Sequence, residues 1–149
     1  MNKKMKKILI IVVLIVSVGF GIWLVPKKDS NYIVIKNGYS SYKSKIISDY
    51  TEYIEFVDYI ESENKNYGEK YKFDSNKYNE KYFDNKSLAI INIITGSSGN
   101  ELKNIDISVT GNLLVCKVDI DYVGISDDIT GKLLLIEVDK SVTDFKIER

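Results

Sequence analysis

The feature that most limits how this chain can fold is an apolar run from Ile8 to Val25, softened only by Ser17, Gly19 and Gly21. At about 1.5 Å per helical residue it reaches roughly 27 Å, close to the roughly 30 Å hydrocarbon core of a bilayer. In lipid every backbone N–H and C=O must bond within its own segment, so such a run is helical. Lys3, Lys4, Lys6 and Lys7 precede it, Trp23 stands near its distal end, and Pro26 marks the exit. An amphipathic indole suits the headgroup boundary, and proline cannot continue a helix. The reading is a membrane anchor over residues 1–28, with Ile8, Val12, Ile15, Phe20, Trp23 and Val25 in its apolar body. A cleaved signal peptide shares this layout, and Ser17-Val18-Gly19 offers a small-x-small site. Apolarity resuming at Phe20 and lasting to Val25 favours an uncleaved anchor over secretion after cleavage. A lipoprotein would need a cysteine at the end of the run, and the only cysteine is Cys116. Four lysines before the span, against Lys27 and Lys28 after it, put the N-terminus in the cytoplasm and the remainder outside.

The formal charge of the whole chain is zero, yet the anchor's lysines hide an acidic remainder. From Pro26 onward 17 basic residues face 21 acidic ones, a net of −4. A domain of that sign lacks the basic face that nucleic acid requires. Residues 29–149 suffice for one core and are too few for two. One cysteine cannot form an intramolecular disulfide, so packing alone must hold the domain. Twenty of the 21 basic residues are lysine, and asparagine, isoleucine and tyrosine are abundant. This bias suggests an AT-rich genome, so a single Lys, Asn or Tyr carries little meaning by itself.

Hydrophobic periodicity organises the domain. Tyr32 to Lys36 is a strand ended by Asn37-Gly38, and Lys45 to Ile47 is a second, shorter one. Asp49 followed by Glu52 is a capping-box pattern, and Tyr50, Tyr53, Ile54, Val57 and Ile60 then repeat at helical spacing. That predicts an amphipathic helix of about three turns. Phe73, Tyr78, Tyr82 and Phe83 predict a second short helix near Ser75 to Asp84, stopped by a left-handed Asn85. Leu88 to Ile94 is almost wholly apolar, as in a central strand covered on both faces. Ile105, Ile107 and Val109 alternate with polar residues up to a tight hairpin at Thr110-Gly111-Asn112. Leu114, Cys116, Val118, Ile120 and Tyr122 share one face of the next strand. A loop from Gly124 to Gly131 leads to a strand over Lys132 to Asp139, and Thr143, Phe145 and Ile147 form an edge strand. Short connections imply antiparallel neighbours. The expected fold class is therefore α+β: one antiparallel sheet of five to seven strands packed by one or two helices.

The chemistry is mostly subtractive. Histidine is absent, which removes Ser/His/Asp and Cys/His nucleophilic mechanisms and the usual zinc sites. Cys116 falls on an inward strand face, the place of an inert thiol. Ser40 with Lys43 and Ser62 with Lys65 fit Ser-x-x-Lys, but 14 serines and 20 lysines in 149 residues yield about that many matches by chance. Asp119, Asp121, Asp127 and Asp128 could converge, but their spacing matches no calcium loop, and the first two read as a solvated strand face. The glycine-bearing loop Gly96 to Asn100 runs strand to strand, so it reads as a hairpin loop and not a phosphate cradle. No catalytic, metal or cofactor residue is assigned, and an enzyme is not expected. Ten of the eleven tyrosines lie between residues 32 and 82. Among them Tyr39, Tyr42, Tyr67 and Tyr71 are the candidate interaction surface, since tyrosine offers an apolar ring with a polar tip.

The order of elements is similar to PrcB-like domains, a family named for a protease-complex subunit, and to related surface proteins of low-GC Gram-positive bacteria. The likeness rests on Ile33 to Gly38, Tyr39-Ser40, and Ile46-Ile47-Ser48 leading into the helix with Tyr53 and Phe56. It continues through Tyr82-Phe83, Asn85, Ser87-Leu88 and the strand to Ile94, followed by a glycine loop and two β-hairpins, over about residues 31 to 148. The family's loop pairs its glycines before an aromatic residue, whereas Gly96 and Gly99 are separated here and precede Asn100 and Glu101. The resemblance implies a non-enzymatic accessory domain outside the cytoplasm and carries over no catalytic residue. Joined to the anchor, it leads to the expectation of a membrane-tethered extracytoplasmic interaction module with a protein partner. The alternative is a protein that binds cell-wall polymer or a small ligand.

Overall fold

The computed structural model describes residues 32–149 apart from residues 69, 70, 98, 125 and 126. The expected anchor over residues 1–28, with Ile8, Val12, Ile15, Phe20, Trp23 and Val25, lies outside the described residues. Among those described, no helix is long and apolar enough to cross a membrane.

Among the described residues seven strands and one α-helix build three layers. The strands are β1 (Tyr32–Asn37), β2 (Lys45–Ile47), β3 (Lys86–Ser97), β4 (Glu101–Thr110), β5 (Leu113–Asp121), β6 (Ile129–Asp139) and β7 (Asp144–Glu148). The helix, α1, spans Tyr50–Tyr67. The class α+β holds, but the single expected sheet is in fact two: a four-stranded sheet in the order β1-β6-β3-β2 and a three-stranded one in the order β4-β5-β7. The connections β3 to β4, β5 to β6 and β6 to β7 each change sheet instead of folding back on a neighbour. Short loops can turn such a corner as readily as they close a hairpin. Gly96 to Asn100 is accordingly a corner between sheets and not a hairpin loop, braced by Asn100 Nδ2 donating to Thr95 O at 2.8 Å. The two-residue hairpin at Gly111-Asn112 does join β4 to β5, with Thr110 opposite Leu113 and a positive φ of 62° at Gly111 alone. Glycine at the first loop position is what a type II′ turn uses. Among the described strands the one exception to an antiparallel order is β7, which pairs parallel to β5. A parallel pair needs a crossover, and β6, lying in the other sheet, supplies it.

This layering explains why β3 and β6 are apolar on both faces. Leu88, Ile90, Leu133 and Leu135 point to the helix side, where they bury against Ile35, Ile47, Tyr53, Phe56 and Ile60. Ala89, Ile91, Ile93, Leu134, Ile136 and Val138 point the other way and meet Ile107, Leu114, Cys116 and Val118 of the second sheet. The middle sheet therefore carries two cores at once, and the period-2 alternation that marks a half-solvated strand is confined to the outer sheet. On β5 the inward set runs Leu114, Cys116, Val118 and half-buried Ile120, while Tyr122 lies past the strand end and is exposed.

α1 starts where its cap places it: the Asp49 side chain accepts from the Glu52 N–H at 2.9 Å, and the Glu52 carboxylate accepts from the Ser48 N–H at 2.9 Å. It runs five turns instead of three, to Gly68, whose φ is 79°. Its buried face is Tyr53, Phe56 and Ile60, so the apolar stripe is centred on Phe56 and leaves Ile54 exposed. The expected second helix is two 3₁₀ turns, Ser75–Lys77 and Glu80–Asp84, capped by Asp74 and Asn79. Asn85 ends the second at φ −126°, so the predicted left-handed stop is absent. These turns lay Tyr78 against Tyr53 and Phe73, Phe83 against Tyr53, and Tyr82 between Tyr78 and Phe83, with ring centroids 4.8 to 6.4 Å apart. Edge-to-face and offset pairs at such separations add to simple burial.

Candidate functional site

A cleft of about 760 Å³ lies where β1 ends against the last turns of α1. It is lined by Lys36, Asn37, Gly38, Tyr39, Ser41, Glu63, Tyr67 and Tyr71. Its construction begins with an irregularity in β1. Val34 pairs with Leu134 but Lys36 pairs with Leu133, so Ile35 is an extra residue in a β-bulge. Because side chains alternate strictly along a strand, one inserted residue moves all that follow to the opposite face. Lys36 would otherwise share the inter-sheet face with Tyr32 and Val34. The bulge sends it instead to the helix side, beside Leu133.

There its ammonium stands 4.3 Å from the Tyr71 ring centroid and donates to Tyr71 Oη at 2.9 Å. Tyr71 is 5 % exposed, and its backbone is clamped by Asn64 of α1: the Tyr71 N–H donates to Asn64 Oδ1 at 3.0 Å. The following N–H, of Lys72, donates to the Ile35 carbonyl at the bulge, 2.8 Å away. The phenol oxygen of Tyr71 also lies 3.2 Å from Ser40 Oγ, 3.3 Å from Tyr59 Oη and 3.5 Å from Glu63 Oε2. Ser41 Oγ is 3.0 Å from Tyr59 Oη. Burial raises the ionisation point of the Tyr59 phenol, partly offset by its bond to Ser41. Behind this network, Asn92 of β3 donates through Nδ2 to the carbonyls of Ser40 and Tyr42 at 2.8 Å each, which holds the segment between β1 and β2 in place.

Of the four tyrosines singled out from the sequence, three meet here. Tyr39, 48 % exposed, and Tyr67, 63 % exposed, flank the cleft, and Tyr71 forms its floor. Tyr42 does not reach it. Its ring packs edge-on against Phe56, with centroids 5.0 Å apart, and burial first, then the nearby Glu52 and Glu55 carboxylates, push its phenol to about 12. Lys36, Ser41 and Glu63 escaped the sequence reading. Glu63 had a usable signal, since Tyr59, Glu63 and Tyr67 stand four apart on one helix face, but only if the helix is carried past Ile60. Lys36 had none, because a bulge leaves no mark in composition.

The remaining candidates disperse. Ser40 is 1 % exposed and bonded to Tyr71, and no contact joins it to Lys43; Ser62 and Lys65 are exposed on the last turns of α1. Asp119 lines a shallow depression of about 380 Å³ on the outer face of β4, β5 and β7, with Asp106, Lys117, Glu148 and Arg149. Charges there are interleaved, Glu148 lying 2.9 Å from Lys146 and 3.6 Å from Lys117. Asp121 is drawn to Lys103 at 3.6 Å, and Asp127 and Asp128 line neither concavity. Among the described residues no three His, Cys, Asp or Glu side chains gather as metal ligands would. Comparison with family models, with curated proteins and with solved structures finds no match to this chain.

Proposed function

We propose that this chain is a membrane-anchored accessory domain working outside the cytoplasm, and that it binds a partner instead of transforming one. The observation that carries the proposal is the cleft between β1 and α1, with two exposed tyrosines above a charge-compensated floor. Tyrosine rings give contact area at low entropic cost; below them β1 holds Lys36, α1 holds Glu63, and Asn64 of α1 clamps the Tyr71 backbone. Position supports the same reading. The chain enters the described domain at Tyr32, one end of β1, and the cleft is at the other, about six residues or roughly 20 Å away. A tether at the Tyr32 end leaves the cleft free to face outward. The resemblance to PrcB-like accessory domains, which brings no catalytic residue, agrees with this.

A protein is the first partner to test. With a photo-crosslinking residue at Tyr39 of the full-length chain, intact cells should yield one defined adduct that is absent when the residue is moved to Asp121 on the outer sheet. Equal capture at both positions, or none at Tyr39, removes the protein partner. A second reading, a wall polymer or small ligand, is favoured by the lining itself, in which no Leu, Ile, Val, Met or Phe occurs among the described residues. It predicts retention of the full-length chain on purified wall material. Anchorage is tested by the mass of the mature protein: loss of residues 1–19 would show a cleaved signal and a secreted domain.

A further inference from the structure

We infer that the cleft is a saccharide site, built for a neutral oligosaccharide with flat pyranose faces. The inference rests on the binding function proposed above and names its ligand. Three features of the lining decide between ligand classes. The first is charge: Lys36 and Glu63 both contact Tyr71 Oη, at 2.9 and 3.5 Å, so among the described residues the floor holds one cation and one anion joined through a phenol. A site for phosphate, nucleic acid or an acidic polymer would present an uncompensated positive field. The second is that the described lining has no aliphatic side chain, and so offers no apolar pocket for the Leu, Ile or Met anchor of a docked peptide. A pyranose asks for something else, an aromatic ring against its C–H face and polar groups around its hydroxyl rim. Exposed Tyr39 and Tyr67 supply rings, Asn37 and Ser41 supply polar groups beside them, and Lys36 and Glu63 supply polar groups from the floor. The volume, about 760 Å³, lies in the range of roughly 300–1,000 Å³ typical of ligand clefts.

The third feature is the hydroxyl network. A phenol can donate one hydrogen bond and accept two, yet Tyr71 Oη has four side-chain neighbours within 3.5 Å: Lys36, Ser40, Tyr59 and Glu63. Four partners compete for three positions. A ligand hydroxyl can thus take over one partner while Tyr71 stays fully bonded, so the polar exchange that sugar binding needs carries little desolvation cost.

The test is titration of the full-length chain in detergent micelles with cellotetraose and with chitotetraose, followed by calorimetry. Saturable binding to at least one is expected, weakened about tenfold by Tyr39→Ala and by Tyr67→Ala and largely kept by Tyr39→Phe, which preserves the ring. Both tyrosines are exposed, so neither change disturbs a core; protection of Cys116 from thiol reagents reports that each variant is folded. Absence of saturable binding to both probes by a folded chain overturns the inference, as does binding that neither alanine variant alters. Binding confined to a polyanion or a peptide overturns it too. If the sugars fail while a crosslinker at Tyr39 still captures a defined protein in cells, the binding function stands and only the ligand assignment falls.

Discussion

At the scale of single residues, two positions test the packing most sharply. Cys116 is fully buried between the sheets, and burial lifts its thiol to about 11. Thiolate is the reactive form, so native protein at neutral pH should resist iodoacetamide or a disulfide reagent until it unfolds. Fast stoichiometric labelling of native protein would contradict the inter-sheet position. Gly131 is the second. It faces β3 at the register pair with Ile94, and a methyl group there would sit 2.1 Å from the Ile93 carbonyl oxygen. Backbone cannot yield as a side-chain tip does, so Gly131→Ala should cost at least about 1–3 kcal/mol, the usual penalty of overpacking, read as a drop in denaturation midpoint. An unchanged midpoint would mean that β3 and β6 are not in this register. In the sequence Gly131 looks like the end of a loop, because close approach of a partner strand has no local signature.

At the scale of elements, α1 owes its start to a local signal and its length to its surroundings. The Asp49–Glu52 cap is an interaction across three residues and could be read directly. Asp49→Ala should destabilise the protein by about 1 kcal/mol, measured by chemical denaturation, with Asp49→Asn recovering most of the loss. The last two turns, over Glu61–Tyr67, are polar and would not be helical on propensity alone. They are held by contacts to residues outside the helix, Asn64 and Glu63 to Tyr71, which periodicity cannot foresee. The strands divide in the same way. Double-sided apolarity marked β3 as central, but nothing in β4 or β7 said which sheet each would join. The choice depends on where the corner at Gly96 to Asn100 aims the chain.

At the scale of the whole molecule, the tyrosines bind the helix layer to the middle sheet and set a limit at high pH. Burial, together with nearby Tyr50 and Asp74, raises Tyr53 to about 12, as burial and the Glu52 and Glu55 carboxylates do for Tyr42. Tyr78 and Tyr82 are raised further still, by burial first and then by Glu137. Unfolded tyrosines ionise near pH 10, so above that point the unfolded chain sheds protons that the folded one keeps. Stability from these groups is therefore complete below about pH 10 and falls as pH rises through 12. Ultraviolet titration should show a steep, cooperative phenolate rise that coincides with unfolding. A single smooth titration near pH 10 would mean that the aromatic layer is open to water. Glu137 sets a weaker limit in acid. Burial works to raise its carboxyl, but bonds from Lys77 and Tyr78 prevail and lower it, so that contribution is lost only as pH falls through its depressed value.

The sequence by itself determined what short-range physics can decide. It settled a class mixing a capped helix with strands, the existence of most elements, a two-faced central strand and the tight β4–β5 turn, each a matter of contacts over a few residues. The anchor expected over residues 1–28 is likewise a reading of apolar length, and it lies outside the described residues. Tertiary structure alone decided the split into two sheets, the parallel β5–β7 pair, and the true length of α1. It also made the cleft, where a bulge at Ile35 turns Lys36 onto a tyrosine 35 residues away. Those outcomes depend on which distant surfaces meet, and no window of sequence contains both sides of such a contact.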